Sequence, residues 1–276
     1  HLENVLKINR CTAVIHCAGL ISVSESVNAP QKYYEHNVVG TDALLRAMQR
    51  HDIDRFIFSS SAAVYGNTEM ELISENAPLK PSSPYAENKR DAERLIRHAS
   101  RWGLASISLR YFNAAGADPA GRTGECHQPE THLIPLLIRK ACAPETEPFS
   151  VFGDDYPTDD GTCVRDYVHV SDLARAHVLA LESLTRSPRS DVYNLGTGRG
   201  WSVREVIDTV IALTGRQLDT VVHPRRPGDP ASLVADPTRA EIELQWTARA
   251  SIEDIIRSAW RWEQKQHRNP AKRQVH

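Results

Sequence analysis

Tyr85 and Lys89 stand four residues apart in Ser83-Pro84-Tyr85-Ala86-Glu87-Asn88-Lys89. Side chains four apart share one helix face, so this spacing predicts an ammonium close to a phenol. A nearby cation favours phenolate and lowers a tyrosine pKa from its usual value of about 10. Tyr85 is therefore a candidate base for the proton of an alcohol. Ser59-Ser60-Ser61 lies just upstream, and the Ser61 hydroxyl is placed to hold the same oxygen. The chemistry these residues suggest is alcohol oxidation, with the hydride passing to a nicotinamide. The pair by itself also fits an ordinary surface helix with an exposed lysine and a half-buried tyrosine, so the elements around it must decide.

Those elements alternate. Thr12–Gly19 is a short apolar, β-branched run ending in glycine, as expected of a buried parallel strand. A helical stretch follows Pro30, and Arg55–Ser61 reads as the next strand. A helix is predicted from Pro84, a residue suited to a first turn, to about Trp102. The strand Ala105–Asn113 follows. Strands separated by helices imply right-handed crossovers and a parallel sheet, with ligands at the strands' carboxyl ends. Gly19, Ser61 and Asn113 fall at such ends. Beyond about residue 115 the loops lengthen. Helices are expected from Leu133, over Ser171–Leu184, Ser202–Thr214 and Ile252–Gln266, with short strands at Ser150–Phe152, Val192–Leu195 and Thr220–Val222. The fold class is α/β. Residues 1–115 are expected to form part of a sheet domain. Residues 116–276 form mainly a smaller substrate lobe, with some segments returning to the sheet.

Composition narrows the function classes. The chain has 276 residues, 25% charged and 41% hydrophobic, with a formal net charge of −2. Nothing in that balance calls for nucleic acid or an anionic membrane. The apolar runs are too short to span a bilayer. The five cysteines are scattered and form no Cys-x-x-Cys pair, which points to reduced thiols in the cytoplasm. The twelve histidines contain no His-Glu-x-x-His spacing, and no metal is expected. The chain opens on His1 in what reads as the tail of an amphipathic helix, so a fragment of a longer protein is expected.

A nicotinamide site needs a glycine loop where backbone amides approach a pyrophosphate at a helix start. The dense cluster Gly196-Thr197-Gly198-Arg199-Gly200 follows a strand and precedes a helix. However, Trp201 takes the place of the last fingerprint glycine, and Ser202 with Glu205 forms a capping box that already explains the helix start. Asp219 is spaced as a ribose-binding acid would be. The cluster reads either as the dinucleotide loop or as a turn in the second lobe, the turn being the better fit.

Several stretches match one family in order. They are His16-Cys17-Ala18-Gly19, Asn37-Val38-Val39-Gly40-Thr41, Phe58-Ser59-Ser60-Ser61-Ala62-Ala63-Val64-Tyr65-Gly66, Arg110-Tyr111-Phe112-Asn113, Glu130-Thr131-His132-Leu133-Ile134-Pro135 and Arg225-Arg226-Pro227-Gly228-Asp229. The most specific runs from Phe152 to Val170 and contains Asp159-Asp160-Gly161-Thr162-Cys163-Val164-Arg165-Asp166-Tyr167. From about Thr12 to about Trp262 the chain resembles the UDP-glucose 4-epimerases of the extended short-chain dehydrogenase/reductase superfamily. The resemblance implies a Rossmann-type parallel sheet with a C-terminal nucleotide-sugar lobe. It also implies that the family's first strands and glycine loop would precede His1, and that these 276 residues alone retain little NAD and little activity.

By that resemblance, NAD oxidises C4 of a UDP-hexose and the hydride returns to the other face of a 4-keto sugar. Tyr85 is the base, Lys89 lowers its pKa and holds the nicotinamide ribose, and Ser61 hydrogen-bonds the reacting oxygen. Cys17, Ala18, Gly19, Leu20, Ile21, Asn37 and Phe112 map to cofactor contacts. Arg165 and Arg226 match diphosphate-binding arginines, whose guanidinium fork suits phosphate oxygens. Asn113 matches a contact to the diphosphate end, Asp229 an acceptor from the uridine ribose. His132, Leu133, Ser150, Val151 and Phe152 fall where the family binds the nucleotide and uracil. Two positions depart or vary: Ile21 stands where some relatives carry lysine, and Leu233 occupies a position that influences sugar size. A homodimer through sheet-domain helices is the family expectation for a full-length protein. A dehydratase of the same superfamily would need an acid and a base where this chain has Ala62 and Ala63, which counts against it. A catalytically silent UDP-sugar-binding fragment, or another nucleotide-sugar epimerase or decarboxylase, is the alternative.

Overall fold

The computed structural model describes residues 2–143, 147–226 and 228–268. His1 of the opening helix and Pro227 of the Arg225–Asp229 run lie outside them. Four apolar or β-branched runs become strands of one sheet: β1 (Val14–His16), β2 (Arg55–Ser61), β3 (Ala105–Tyr111) and β4 (Ser190–Leu195). They lie side by side in that order, and every pairing is parallel. The register sets Ser61 opposite Tyr111, and Tyr111 opposite Leu195, so the carboxyl ends of β2, β3 and β4 finish level.

Both faces of this sheet are covered, which explains why its strands are apolar on both sides. Phe56 and Phe58 face Leu44, Leu45 and Met48 from one helix, and Ala92 and Ile96 from another. Ile57, Ile107 and Leu109 face Leu173, Ala176, Ala180 and Leu184 from the helix Val170–Arg186, with Trp246 closing that side.

Two boundaries differ from expectation. The first strand is shorter than Thr12–Gly19, because beyond His16 the backbone leaves the ladder and is held by Asn37 instead. The third strand stops at Tyr111. Asn113–Ala115 then pairs in parallel with Tyr167–His169, so Asn113 starts a second sheet rather than ending the first. The helix after Pro30 is also interrupted: Glu35–Val39 is a π-helical turn between Pro30–Tyr34 and Gly40–Arg50. Such turns recur at functional positions, and this one carries Asn37.

The remaining chain builds a second core. Helices Leu133–Cys142, Val203–Thr214 and Ile252–Arg268 bring together Ile134, Leu137, Ile138, Val206, Val210, Ile255 and Ile256 against Val151 and Tyr167. Phe149–Phe152 pairs with Thr220–His223 beside it. Among the described residues no helix is long and apolar enough to cross a membrane.

Candidate active site

The helix Pro84–Ala99 begins as its sequence dictates. Ser83 Oγ accepts from Ala86 N at 3.2 Å, and Pro84 takes the first turn. Tyr85, Lys89 and Glu93 then repeat every four residues on the buried face, with Ala92 and Ile96 beside them. This stripe meets the carboxyl half of β2. Lys89 Nζ donates to the Ser59 carbonyl at 2.7 Å and sits 4.9 Å from the Phe58 ring centroid and 5.9 Å from that of Tyr85. The Tyr85 hydroxyl lies near the Ser61 side chain, which acts to lower its pKa.

The electrostatics differ from the expectation for Tyr85. Burial raises its pKa, and Ser61 offsets only part of that. The ammonium of Lys89 is turned to a backbone carbonyl and does not lower the phenol in this structure; desolvation wins. Lys89 is itself brought down to about 8 by burial, while Cys17 and Glu93 hold it up.

Below this pair lies a polar network that the sequence reading did not find. Glu93 accepts from Ser60 Oγ at 2.6 Å and from both Nε and Nη2 of Arg110 at 2.9 and 2.6 Å. Arg110 Nη1 donates to the Tyr65 hydroxyl at 2.9 Å, and that hydroxyl donates to Asn194 Oδ1 at 2.6 Å. Arg110 and Glu93 are almost completely enclosed, with side-chain exposures of 3% and 2%. A second missed group is His177. Its Nδ1 faces the Leu173 carbonyl at 2.8 Å, so Nε2 meets the Tyr111 hydroxyl at 2.9 Å and Ser59 Oγ at 3.3 Å. A hydrogen bond to His177 pulls the Cys17 thiol pKa down. The only signal for this group was a histidine on the inner face of an amphipathic helix, which sequence alone does not separate from a core histidine.

Two cavities meet here. One, of about 470 Å³, is lined by Cys17, Ile21, Ser61, Tyr85, Lys89 and Phe112, and also by Leu233. The other, of about 710 Å³, is lined by Leu133, Ser150, Val151, Phe152, Tyr167 and Arg226. Asn113, His132, Arg165 and Asp229 line both. Every expected substrate residue therefore borders one cavity or the other. Arg226 stacks its guanidinium 4.0 Å from the Phe152 ring centroid, a cation–π contact that aims the fork. Arg165 donates to the Val164 carbonyl at 2.8 Å.

Ala18, Gly19, Leu20 and Asn37 border neither cavity. Asn37 is buried, and its amide is committed to the loop after β1. Leu20 N donates to Asn37 Oδ1 at 2.8 Å, and Asn37 Nδ2 donates to the Leu20 carbonyl at 2.9 Å. Its observed contact is thus a clamp on Cys17–Ile21.

The cluster Gly196–Gly200 is a turn around a carboxylate. Asp166, buried, accepts from Thr197 N at 2.9 Å, Thr197 Oγ1 at 2.7 Å and Gly198 N at 3.1 Å. A Cβ on Gly196 would overlap Ala235 and Asp166. The Ser202–Glu205 capping box is present. These amides are occupied inside the protein, which rules out the dinucleotide-loop reading of this cluster.

Comparison with known proteins gives one answer. Residues 1–196 match the model of the NAD dependent epimerase/dehydratase family. The chain belongs to that family. Its relatives there include UDP-glucose 4-epimerases. That of Halalkalibacterium halodurans is 45% identical over 95% of this chain and 78% of the relative, and that of Azospirillum brasilense 47% over 95% and 76%. A crystal structure of the Stenotrophomonas maltophila enzyme, with bound NAD and formylated UDP-arabinopyranose, superposes with a TM-score of 0.93 at 40% identity, covering 97% of this chain and 80% of that one. The Bifidobacterium longum enzyme, in complex with NAD+ and UDP, gives 0.87 at 39%, covering 98% and 80%. The expected Rossmann-type parallel sheet is the fold of these relatives and of this chain.

Proposed function

We propose that the chain interconverts UDP-glucose and UDP-galactose at C4 with NAD as resident cofactor. One observation carries the reading: Ser61, Tyr85 and Lys89 share a cavity whose far wall, Asn113, His132, Arg165 and Asp229, is also the wall of a second, arginine-bearing cavity. A reacting sugar and a fixed nucleotide need two such adjoining spaces.

The residues fit a nicotinamide dinucleotide. A Cβ on Gly19 would stand 3.0 Å from Asn37 Oδ1 and 3.9 Å from Lys89 Nζ, so the loop after β1 passes the lysine as bare backbone. Tyr85 and Lys89 would hold the nicotinamide ribose, with Cys17–Ile21, Asn37 and Phe112 along the rest. NAD, when bound, would supply the hydride acceptor and donor that chemistry at C4 requires. Tyr85 Oη takes the 4-hydroxyl proton and later returns it. Ser61 hydrogen-bonds the same oxygen. The Lys89 ammonium, still mostly protonated at pH 7, is the cation one turn away; turned from the Ser59 carbonyl towards the phenol, it would favour the phenolate that proton abstraction requires.

Arg165 and Arg226 hold the diphosphate together with Asn113. Asp229 accepts from the uridine ribose, and His132, Leu133, Ser150, Val151 and Phe152 border the nucleotide and its base. Leu233 borders the sugar. Tyr85→Phe tests the assignment. Epimerisation, followed by a coupled UDP-glucose assay, should fall by about 10²-fold or more, the worth of a general base, while calorimetric UDP affinity stays within twofold. Retained turnover would remove Tyr85 as the base.

A homodimer through sheet-domain helices belongs to the same reading. Tyr34 and Val39, 44% and 48% exposed on the run after Pro30, support it, and light scattering on the purified chain measures it. Five free cysteines support residence in the reducing cytoplasm.

A further inference from the structure

We propose that Glu125, His127, Glu130 and His132 form a binding site for a divalent transition metal of the zinc class. One donor atom from each lies within 4.8 Å of the other three. Tetrahedral donors about 2.1 Å from an ion stand about 3.4 Å apart, so the set needs only small shifts to close on one. His132 Nδ1 is 2.7 Å from Glu130 Oε1 and 3.9 Å from Glu125 Oε2, one pair tighter and one looser than that spacing. His127 Nδ1 hydrogen-bonds Glu125 Oε1. Two imidazoles and two carboxylates suit zinc, nickel or copper better than magnesium or calcium, which take oxygen donors.

A second observation points the same way. The Glu130 side chain is 1% exposed, and its Oε2 is buried with no hydrogen-bond partner. The cation nearest that oxygen among the described ion pairs is Arg139, at 3.7 Å, and Arg139 also faces Glu263 at 3.9 Å. Buried carboxylates are costly unless paired. Glu130 Oε1 is held by His132 Nδ1 and two backbone amides, whereas Oε2 has only the shared arginine; a divalent ion on Glu125 and Glu130 would supply the charge that oxygen lacks.

The loop is already fixed for the purpose. Trp262 Nε1 donates to the Glu125 carbonyl at 2.9 Å, Lys265 Nζ to the Gly121 carbonyl at 2.6 Å, and a side chain on Gly124 would run into the Trp262 indole. At its other end His132 leads directly into the helix Leu133–Cys142. His132 lines both cavities described above, so a metal held here also fixes one of their shared walls.

The test is calorimetric titration of the chelator-stripped, full chain with Zn²⁺, repeated on Glu125→Gln and His127→Ala with folding checked by circular dichroism. One Zn²⁺ per chain is expected, weakened at least about tenfold in each variant, as loss of a site-forming group does elsewhere. Co²⁺ titration should give a visible ligand-field spectrum without a thiolate charge-transfer band. Failure of the wild-type chain to bind Zn²⁺ overturns the proposal, and so does unchanged affinity in both variants. Loss of binding on Cys126→Ser overturns it as well, because that would move the ion to the neighbouring thiol.

Discussion

Lys89→Met should make the NAD-free protein relatively more stable near neutral pH, by an amount that disappears in alkali. In the fold the Lys89 ammonium has a pKa of about 8 against 10.5 unperturbed, with burial the leading cause. The unfolded chain therefore binds more protons than the folded one between those values, and stability rises with pH across that window. With the pKa brought from 10.5 to about 8, charging buried Lys89 costs about 3 kcal/mol below pH 8, and nothing from this source above about pH 10.5. Methionine has similar length and no charge, and removes the term altogether. Replacing the lysine also removes its bond to the Ser59 carbonyl, a pH-independent loss. The decisive quantity is thus the slope. The stability of Lys89→Met minus that of its lysine-bearing parent, from urea unfolding of nucleotide-free protein, should fall by about 3 kcal/mol between pH 7 and pH 10.5. Both proteins carry Cys17→Ser, because the Cys17 thiol is coupled to the Lys89 charge; the remaining titrating groups are common to both. A difference that is flat with pH, or one that grows, would refute a desolvated ammonium at this position. Activity should be lost in the same variant.

Glu93→Gln should cost about 3–5 kcal/mol, because it leaves the enclosed Arg110 charge unpaired. The double variant Glu93→Leu/Arg110→Met should be less destabilised than the sum of its single changes, again by urea unfolding. Gly196→Ala should lower stability by about 1–3 kcal/mol through overlap with Ala235 and Asp166. It should leave NAD affinity, by fluorescence titration, unchanged, since the loop amides bond Asp166 rather than a ligand.

The sequence was legible where periodicity and chemistry coincide. Arg55–Ser61 was bounded correctly because an apolar, aromatic run ends abruptly in three serines. The start of the Pro84 helix was legible from the proline, a first-turn residue. Motif order gathered residues as distant as Asn113 and Asp229 around joined cavities, although spacing alone gives no distance between them. What was not legible depends on tertiary contact. The glycine cluster leaves a phosphate loop open beside the better-fitting turn until Asp166, about thirty residues earlier, is seen to occupy its amides. The change of sheet at Phe112 has no local signal, because Asn113 pairs with Tyr167, far along the chain. The pKa of Tyr85 was misjudged in direction. Four-residue spacing places Lys89 beside the phenol, but not the carbonyl that captures the ammonium or the burial that both groups share. The Glu125–His132 cluster has no two histidines four apart, the spacing that marks a helical metal site. Here carboxylates and imidazoles alternate as Glu-x-His-x-x-Glu-x-His along a loop.

The buried stripe Tyr85, Lys89, Glu93 explains how one helix can serve both fold and chemistry. Its three polar members are compensated to different degrees. Glu93 has a bidentate arginine and a serine hydroxyl, and so behaves as a core ion pair that fixes the helix against β2 and β3. Tyr85 is a phenol whose pKa burial raises, with Ser61 offsetting part of that rise. Lys89 has one backbone carbonyl among the described residues and two aromatic faces, and its lowered pKa records the shortfall. A chain under selection for stability alone would place an apolar residue there, as the methionine variant would show. Sequence choices that break a local rule without local compensation are expected where function requires them. Lys89 is such a choice, one turn from the proposed base and at the mouth of the strands where the two cavities meet.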